Sequence, residues 1–266
     1  MSKTILITGA TDGIGLETAK MLVEKGENLI VHGRNKDKLE NVKSILKEIN
    51  NSINIEDIVA DLSDMSKVKE MGEKLLKQGS LIDALINNAG VLVVEETRTK
   101  DNLETRFAVN TIAPYFLTKL ILPILNKNGR IINLSSAAQM EVDFSAVRQW
   151  KPMSHDEAYA QSKLGITMWS IEFAEKYKDG PSILAVNPKS FLGSKMVREA
   201  YRTEGHDVRI GADLLVRMAI SKEFEGITGK YYDNDYGHFD NPNPYALDKY
   251  NRKELIKTMD EILETI

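Results

Sequence analysis

The sequence predicts an α/β fold, a doubly wound, mainly seven-stranded parallel sheet with helices on both faces. Three observations carry that expectation. Short apolar runs rich in β-branched residues alternate along the chain with longer segments of helical period. The first such run leads directly into a glycine-rich turn and then a helix. No repeat, low-complexity tract or linker interrupts the alternation, so residues 1–266 are expected to form one domain.

Thr4-Ile5-Leu6-Ile7 suits a strand buried on both faces and places the first strand near 4–8. Behind it, Thr8-Gly9-Ala10-Thr11-Asp12-Gly13-Ile14-Gly15 turns into a helix over 13–25, with Asp12 as its expected N-cap and Gly26 as its stop. Glycines at 9, 13 and 15 permit a tight turn and let bare backbone approach a pyrophosphate, and the helix N-terminus offers free N–H groups. This is the strand–turn–helix context of a Rossmann-type, dinucleotide-binding unit; a glycine turn without a ligand is the plainer alternative. Further strands are expected near 28–32, 54–60, 82–87, 130–135, 182–187 and 229–232. Helices are expected over 36–49, 64–78, 102–126, 155–178, 208–222 and 246–265. Right-handed crossovers between parallel strands follow from the alternation. Ser63 or Asp64 suits the N-cap of the third helix, and Asp233–Pro244, rich in Asp, Asn, Gly and Pro, reads as a loop.

Two further signals point to chemistry. Arg130-Ile131-Ile132-Asn133-Leu134-Ser135-Ser136 is an apolar strand ending in two hydroxyls, at the strand end where open α/β sheets bind ligands; serines that only cap a turn are the alternative. Tyr159 and Lys163 stand four residues apart, one turn apart on the same helix face. A free tyrosine, with a pKa of roughly 10, is a poor acid–base group at neutral pH. A lysine charge about 4 Å away, at an effective dielectric of about 20, supplies about 4 kcal/mol towards the phenolate.

Taken in order, Thr8-Gly9-xxx-Gly13-Ile14-Gly15, Asp61, Asn87-Asn88-Ala89-Gly90, Asn110, Ser136, Tyr159-xxx-Lys163 and Asn187-Pro188 resemble the short-chain dehydrogenase/reductase family over nearly the whole chain. The long Ser136-to-Tyr159 segment and the context Ala158-Tyr159-Ala160-Gln161-Ser162-Lys163-Leu164 look most like soluble members of retinol-dehydrogenase type. The resemblance implies carbonyl–alcohol interconversion. Ser136 would hold the substrate oxygen, Tyr159 would move the proton, and Lys163 would lower the tyrosine pKa and bind the nicotinamide ribose. Asn110 would complete the catalytic set by holding a water, or would satisfy a kinked helix instead. The implied cofactor contacts are Gly9, Thr11, Asp12, Gly13, Ile14, Gly15, Arg34, Asn35, Lys38, Asp61, Leu62, Asn88, Ala89, Gly90, Tyr159, Lys163 and Pro188. Asp61 would contact the adenine, and the amides of Asn87 and Asn88 also suit a structural role.

The cofactor is expected to be NADP(H), with NAD(H) second. Where family members that use NAD carry an acid at the end of the second strand, this chain has Gly33 followed by Arg34 and, a turn later, Lys38. A guanidinium grips a phosphate bidentately and stacks on adenine, although a solvated basic helix start explains the same residues. Lys189 departs from the family, which places glycine after Asn187-Pro188; a lysine there changes the loop path or brings a charge near the nicotinamide.

Residues 189–209 are expected to form a substrate lid, with Phe191, Leu192 and Met196 joining Ser136 around a small lipophilic substrate, and Met140, Phe144 and Trp150 opposite. Simple packing is the alternative for each aromatic and methionine. A protein that binds NADPH as a sensor or scaffold, with little turnover, is the competing functional class, favoured by Lys189 and opposed by the intact Ser136, Tyr159 and Lys163. A nucleotide-sugar epimerase or dehydratase would carry a differently spaced glycine motif and a longer substrate domain.

Composition narrows the field. The absence of cysteine excludes disulfides, thiolate catalysis and cysteine zinc sites, and His32, His155, His206 and His238 show no ligand spacing, so no metal is expected. A net charge of −4 gives no electrostatic case for nucleic acid or an anionic membrane. Met1-Ser2-Lys3 enters the first strand directly and no apolar run of about 18 residues is expected, which points to a cytoplasmic protein. Helix 155–178 carries Leu164, Ile166, Met168, Trp169, Ile171 and Phe173, enough apolar surface for a homodimer or homotetramer or for burial within the chain.

Overall fold

The computed structural model describes residues 2–266. One eight-stranded sheet of order β3-β2-β1-β4-β5-β6-β7-β8 runs through it. Its strands are β1 (Thr4–Ile7), β2 (Asn28–Gly33), β3 (Ile55–Val59), β4 (Ile82–Asn87), β5 (Leu125–Leu134), β6 (Ser182–Asn187), β7 (Lys230–Asp233) and β8 (His238–Asp240). The first seven are parallel, as expected, and β8 adds an antiparallel edge. That eighth strand corrects the expected count of seven. It lies in the Asp233–Pro244 stretch read as a loop, where Gly237 at a φ of 76° closes the turn back onto β7. Three residues are too few to show a period of two.

The helices are α1 (Gly13–Glu24), α2 (Lys36–Ile49), α3 (Met65–Gln78), α4 (Thr105–Ile124), α5 (Phe144–Arg148), α6 (His155–Lys176), α7 (Lys195–Tyr201), α8 (Arg209–Ile220) and α9 (Lys249–Leu263). Asp12 caps α1 and Asp64, rather than Ser63, caps α3. Two short helices, α5 and α7, were not expected, and β5 begins earlier than 130, at Leu125, which pairs with Ile82 before a break in register. The polar Asn126-Lys127-Asn128 stretch carries no alternation that would reveal it.

Strand alternation divides the core in two. Ile5, Ile7, Leu29 and Val31 face α1, α2 and α8, and share that layer with Leu22, Leu39 and Leu215. Leu6 and Ile30 point the other way, into a larger layer with Val68, Phe107, Ile112, Trp169 and Met259. Sequence reading found no stretch long enough to span a membrane. The structure corrects this, because α4 is long and apolar enough by length and composition. Most of it is buried against α3 and α6, which identifies it as a core helix here.

The apolar face of α6 is covered within the chain. Leu255 and Met259 of α9 join Trp169 and Phe173 in the larger core layer, and Arg252 pairs with Glu172 at 3.1 Å and Glu175 at 2.7 Å. Leu164, Ile166, Met168, Trp169 and Phe173 are buried within the chain, and Ile171 is half-buried. Met259 is fully buried, so Met259→Ala is expected to lower the unfolding free energy by about 2–5 kcal/mol in urea titration, with the slope unchanged.

Candidate active site

After β3 the chain returns to the centre of the sheet, so β1 and β4 lie side by side with connections leaving in opposite directions; this switch point opens a cleft at their carboxyl ends. Thr8 Oγ1 accepts from the N–H groups of Asn88 and Ala89, each at 3.1 Å. Asn88 Nδ2 donates to the carbonyls of Thr8 and Gly9 at 2.9 and 3.0 Å. Gly9 has a φ of 67°, and a Cβ there would stand 2.8 Å from Ala89 Cα. A Cβ on Gly15 would stand 2.3 Å from the Gly9 carbonyl oxygen. Only glycine lets the β1 turn, the first turn of α1 and the end of β4 meet this closely.

Asp12 accepts from Gly13 N–H at 2.7 Å, while the N–H groups of Ile14 and Gly15 have no intrahelical acceptor. The cleft therefore fits a dinucleotide: bare backbone at Gly9, free donors and a positive helix end at α1.

Beneath this turn lies His32, which sequence reading dismissed with the other histidines. Its Nδ1 accepts from Gly9 N–H at 3.2 Å and its Nε2–H donates to the Ala60 carbonyl at 3.0 Å. Burial pushes its pKa down to about 4, so the ring is neutral and its tautomer is set by these two partners. The signal that could have found it is position: a polar residue in the apolar run Leu29-Ile30-Val31, one strand from the glycine turn.

At the adenosine end, a Cβ on Gly33 would lie 2.6 Å from Thr11 Cγ2, so Thr11 occupies the place of any side chain at 33. Arg34 and Lys38 are exposed. Asn35 caps α2, accepting from Lys38 N–H at 2.9 Å. Asp61 is exposed and folds back on Ser63, accepting from its N–H at 2.9 Å, whereas Leu62 is buried.

Across the cleft, Ser154 caps α6 and fixes the turn on which Tyr159 and Lys163 sit. Lys163 Nζ donates to the Leu134 carbonyl at 2.7 Å and lies 5.6 Å from the Tyr159 ring centroid. Burial pushes the lysine down to about 8 and the phenol up to about 12, while a hydrogen bond with Ser136 pulls the phenol the other way. In this arrangement the ammonium is turned to the Leu134 carbonyl, and burial outweighs the pull of Ser136 on the phenol. Ser136 is held from behind, its carbonyl accepting from Tyr231 Oη at 3.1 Å and Gln139 Nε2 at 2.9 Å. Ser135, pointing the other way, bonds the Lys163 carbonyl and Thr167.

Asn110 lies in a π-turn, Ala108–Ile112, inside α4. Its amide donates to Val91 O and Ser162 Oγ, each at 2.9 Å, and its Oδ1 accepts from Val91 N–H at 2.8 Å. The irregular helix that sequence reading offered as one explanation is present. A Cβ on Gly90 would stand 3.3 Å from Lys163 Nζ and 3.4 Å from Asn110 Oδ1, so these three residues share one corner of the cleft. Asn87 faces inward, donating to Asn133 Oδ1 at 2.8 Å.

The segment 189–209 crosses the cleft: Ser194 approaches Gly13, and Met196 reaches Gly90. Two further residues assigned to the substrate lie differently. Leu192 is buried against Gly211 of α8, and Phe191 is exposed, stacked edge-on to Tyr201 at 5.4 Å. The chain bends at Phe191, with a φ of 52°, which turns its ring outward. Nor do the residues assigned opposite form a wall. Phe144 packs on Tyr245, Trp150 lies under Arg98 with its indole N–H on Thr97, and Met140 is exposed.

A family model described as short chain dehydrogenase matches residues 3–205, and the chain belongs to that family of oxidoreductases. Retinol dehydrogenase 13 of Mus musculus is 30% identical over 254 residues, which cover 87% of this chain and 75% of that protein. Among solved structures, an uncharacterized protein from Mycobacterium paratuberculosis superposes with a TM-score of 0.81 at 24% identity, covering 98% of this chain and 93% of that one. A short-chain dehydrogenase from Shigella flexneri, solved with NADP, gives a TM-score of 0.70 at 23% identity, covering 88% and 97%. These two share the fold.

His32 makes a pH prediction. Its pKa falls on folding from 6.5 to about 4, so the unfolded chain binds the extra proton between those values. The stability it contributes is complete above pH 6.5 and is lost as pH falls towards 4, by about 3 kcal/mol. Urea titrations across this range should show a steeper acid loss in the wild type than in His32→Asn.

Proposed function

We propose that the protein is an NADP(H)-dependent oxidoreductase that interconverts a carbonyl and an alcohol on a small lipophilic substrate. The observation that carries this reading is the convergence of Ser136, Tyr159 and Lys163 at the corner of a dinucleotide-shaped cleft. Ser136 Oγ hydrogen-bonds the substrate oxygen, and Tyr159 Oη gives it a proton in reduction or takes one in oxidation. A bound nicotinamide supplies or accepts the hydride. Lys163, next to Gly90 and Asn110, holds the ribose hydroxyls and, while protonated, favours the phenolate. Asn110 positions Ser162 and Val91 around that corner.

Preference for the 2′-phosphate rests on Arg34, exposed with Lys38 beside it, and on Thr11, which closes the space an acid at position 33 would need. The Shigella flexneri structure holds NADP, and retinol dehydrogenase 13 is named for a lipophilic alcohol; both agree with this reading. A cytoplasmic location is proposed with it; among the described residues the one helix both long and apolar enough to span a membrane is mostly buried.

Loss of absorbance by reduced nicotinamide, followed with NADPH and NADH over a panel of lipophilic aldehydes and ketones, tests the assignment. Turnover should favour NADPH, and Tyr159→Phe should cut kcat by about 10²–10⁴-fold with NADPH affinity retained. Normal turnover in that variant would remove Tyr159 from the mechanism, and NADPH binding without turnover would point to a sensor. Arg34→Asp should shift the NADPH-to-NADH ratio of kcat/KM by about 10- to 100-fold; an unchanged ratio would show that Arg34 does not read the phosphate.

A further inference from the structure

Lys189 stands where the chain leaves β6 and starts the segment that crosses the cleft, and its φ is 117°. Glycine visits that region freely; a residue with a Cβ stays there only when its surroundings hold it. The surroundings here converge on one side chain. Asp235, in the turn between β7 and β8, accepts from Ser190 N–H at 2.9 Å and also from Ser190 Oγ. The same carboxylate accepts from Asn187 Nδ2 at 2.9 Å and lies 4.0 Å from the Lys189 ammonium. Asn234, its neighbour, donates to the Pro188 carbonyl at 3.0 Å. Residues 187 to 190 are thus gripped from a single turn of the β7–β8 hairpin.

We propose that Asp235 is a positioning residue for the nicotinamide end of the site, locking Lys189 in a glycine-like conformation so that residues 190–196 are aimed across the cofactor cleft. The lock replaces by contacts what a glycine at 189 would provide by conformational freedom. Its downstream targets are fixed by geometry: Ser194 stands against Gly13 and Met196 against Gly90. The hydrogen-bond and ion-pair partners of Asp235 are Asn187, Ser190, Asp233 and Lys189, so Asp235 acts on the site through the loop. In its cofactor readout the inference rests on the NADP(H) reading above; in its loop readout it stands alone.

The test uses Asp235→Ala, Lys189→Gly and the double variant in the full chain. Hydrogen–deuterium exchange should show faster exchange over 189–196 in Asp235→Ala, with the sheet strands unchanged, and near wild-type protection when Lys189→Gly is added. NADPH titration should show a dissociation constant raised about tenfold in Asp235→Ala, kcat at saturation changed less than about threefold, and recovery to within about threefold in the double variant. Unaltered exchange over 189–196 in Asp235→Ala, or no recovery in the double variant, would overturn the lock. Failure of the wild type to bind NADPH would sink the functional reading and leave the exchange result to decide the lock by itself.

Discussion

A methyl group on Gly9 would press into Ala89, and the carboxyl edge of the sheet is organised around that contact. Because the turn after β1 must touch the end of β4, every polar group between them has to be matched internally. Thr8 and Asn88 do so by exchanging four hydrogen bonds with backbone. His32 completes the arrangement from below, with a ring nitrogen that reaches Gly9 and another that reaches Ala60 at the end of β3. Three strand ends are thereby tied to one turn, which leaves the first N–H groups of α1 facing the cleft. The glycines create the space, and the half-buried Asn88 amide with the buried Thr8 hydroxyl and His32 imidazole keep it from collapsing.

Tyr159 and Lys163, across the cleft, respond to burial in the same way. Burial raises the Tyr159 phenol and depresses the Lys163 ammonium, in opposite directions, because each is pushed towards its neutral form. Asn110 contributes by sitting in a π-turn, where an extra residue in α4 aims its amide at Val91 and Ser162. Helix α6, which carries Tyr159 and Lys163, is therefore registered against α4 by side-chain bonds to an irregular turn as well as by apolar packing.

The alternation of strands and helices was legible because both faces of the sheet are covered, giving short continuous apolar runs with strong punctuation. Cofactor-facing backbone was legible for a related reason: Gly9 and Gly15 have no substitutes at their contacts. What escaped was local. β8 is too short to show a period, and the turns at Phe191 and Lys189 follow from positive φ values that neither residue type announces. The burial of Leu192 and exposure of Phe191 were not legible either, because the bend at Phe191 departs from the backbone its residue type usually adopts. His32 was overlooked because a histidine with two backbone partners looks, in sequence, like any other isolated histidine.

The covering of α6 by α9 has a consequence for the order of events during synthesis. Trp169 and Phe173 emerge long before Leu255 and Met259, which share their core layer, so the outer face of the catalytic helix stays uncovered while the intervening strands are made. The aromatic cluster around Tyr115, with Trp169 and Phe173 edge-on at 5.8 and 5.6 Å, can form first and shelter part of that face. Closure waits for α9, and so the helix that carries Tyr159 and Lys163 is among the last to be sealed from chaperones, proteases and neighbouring nascent chains.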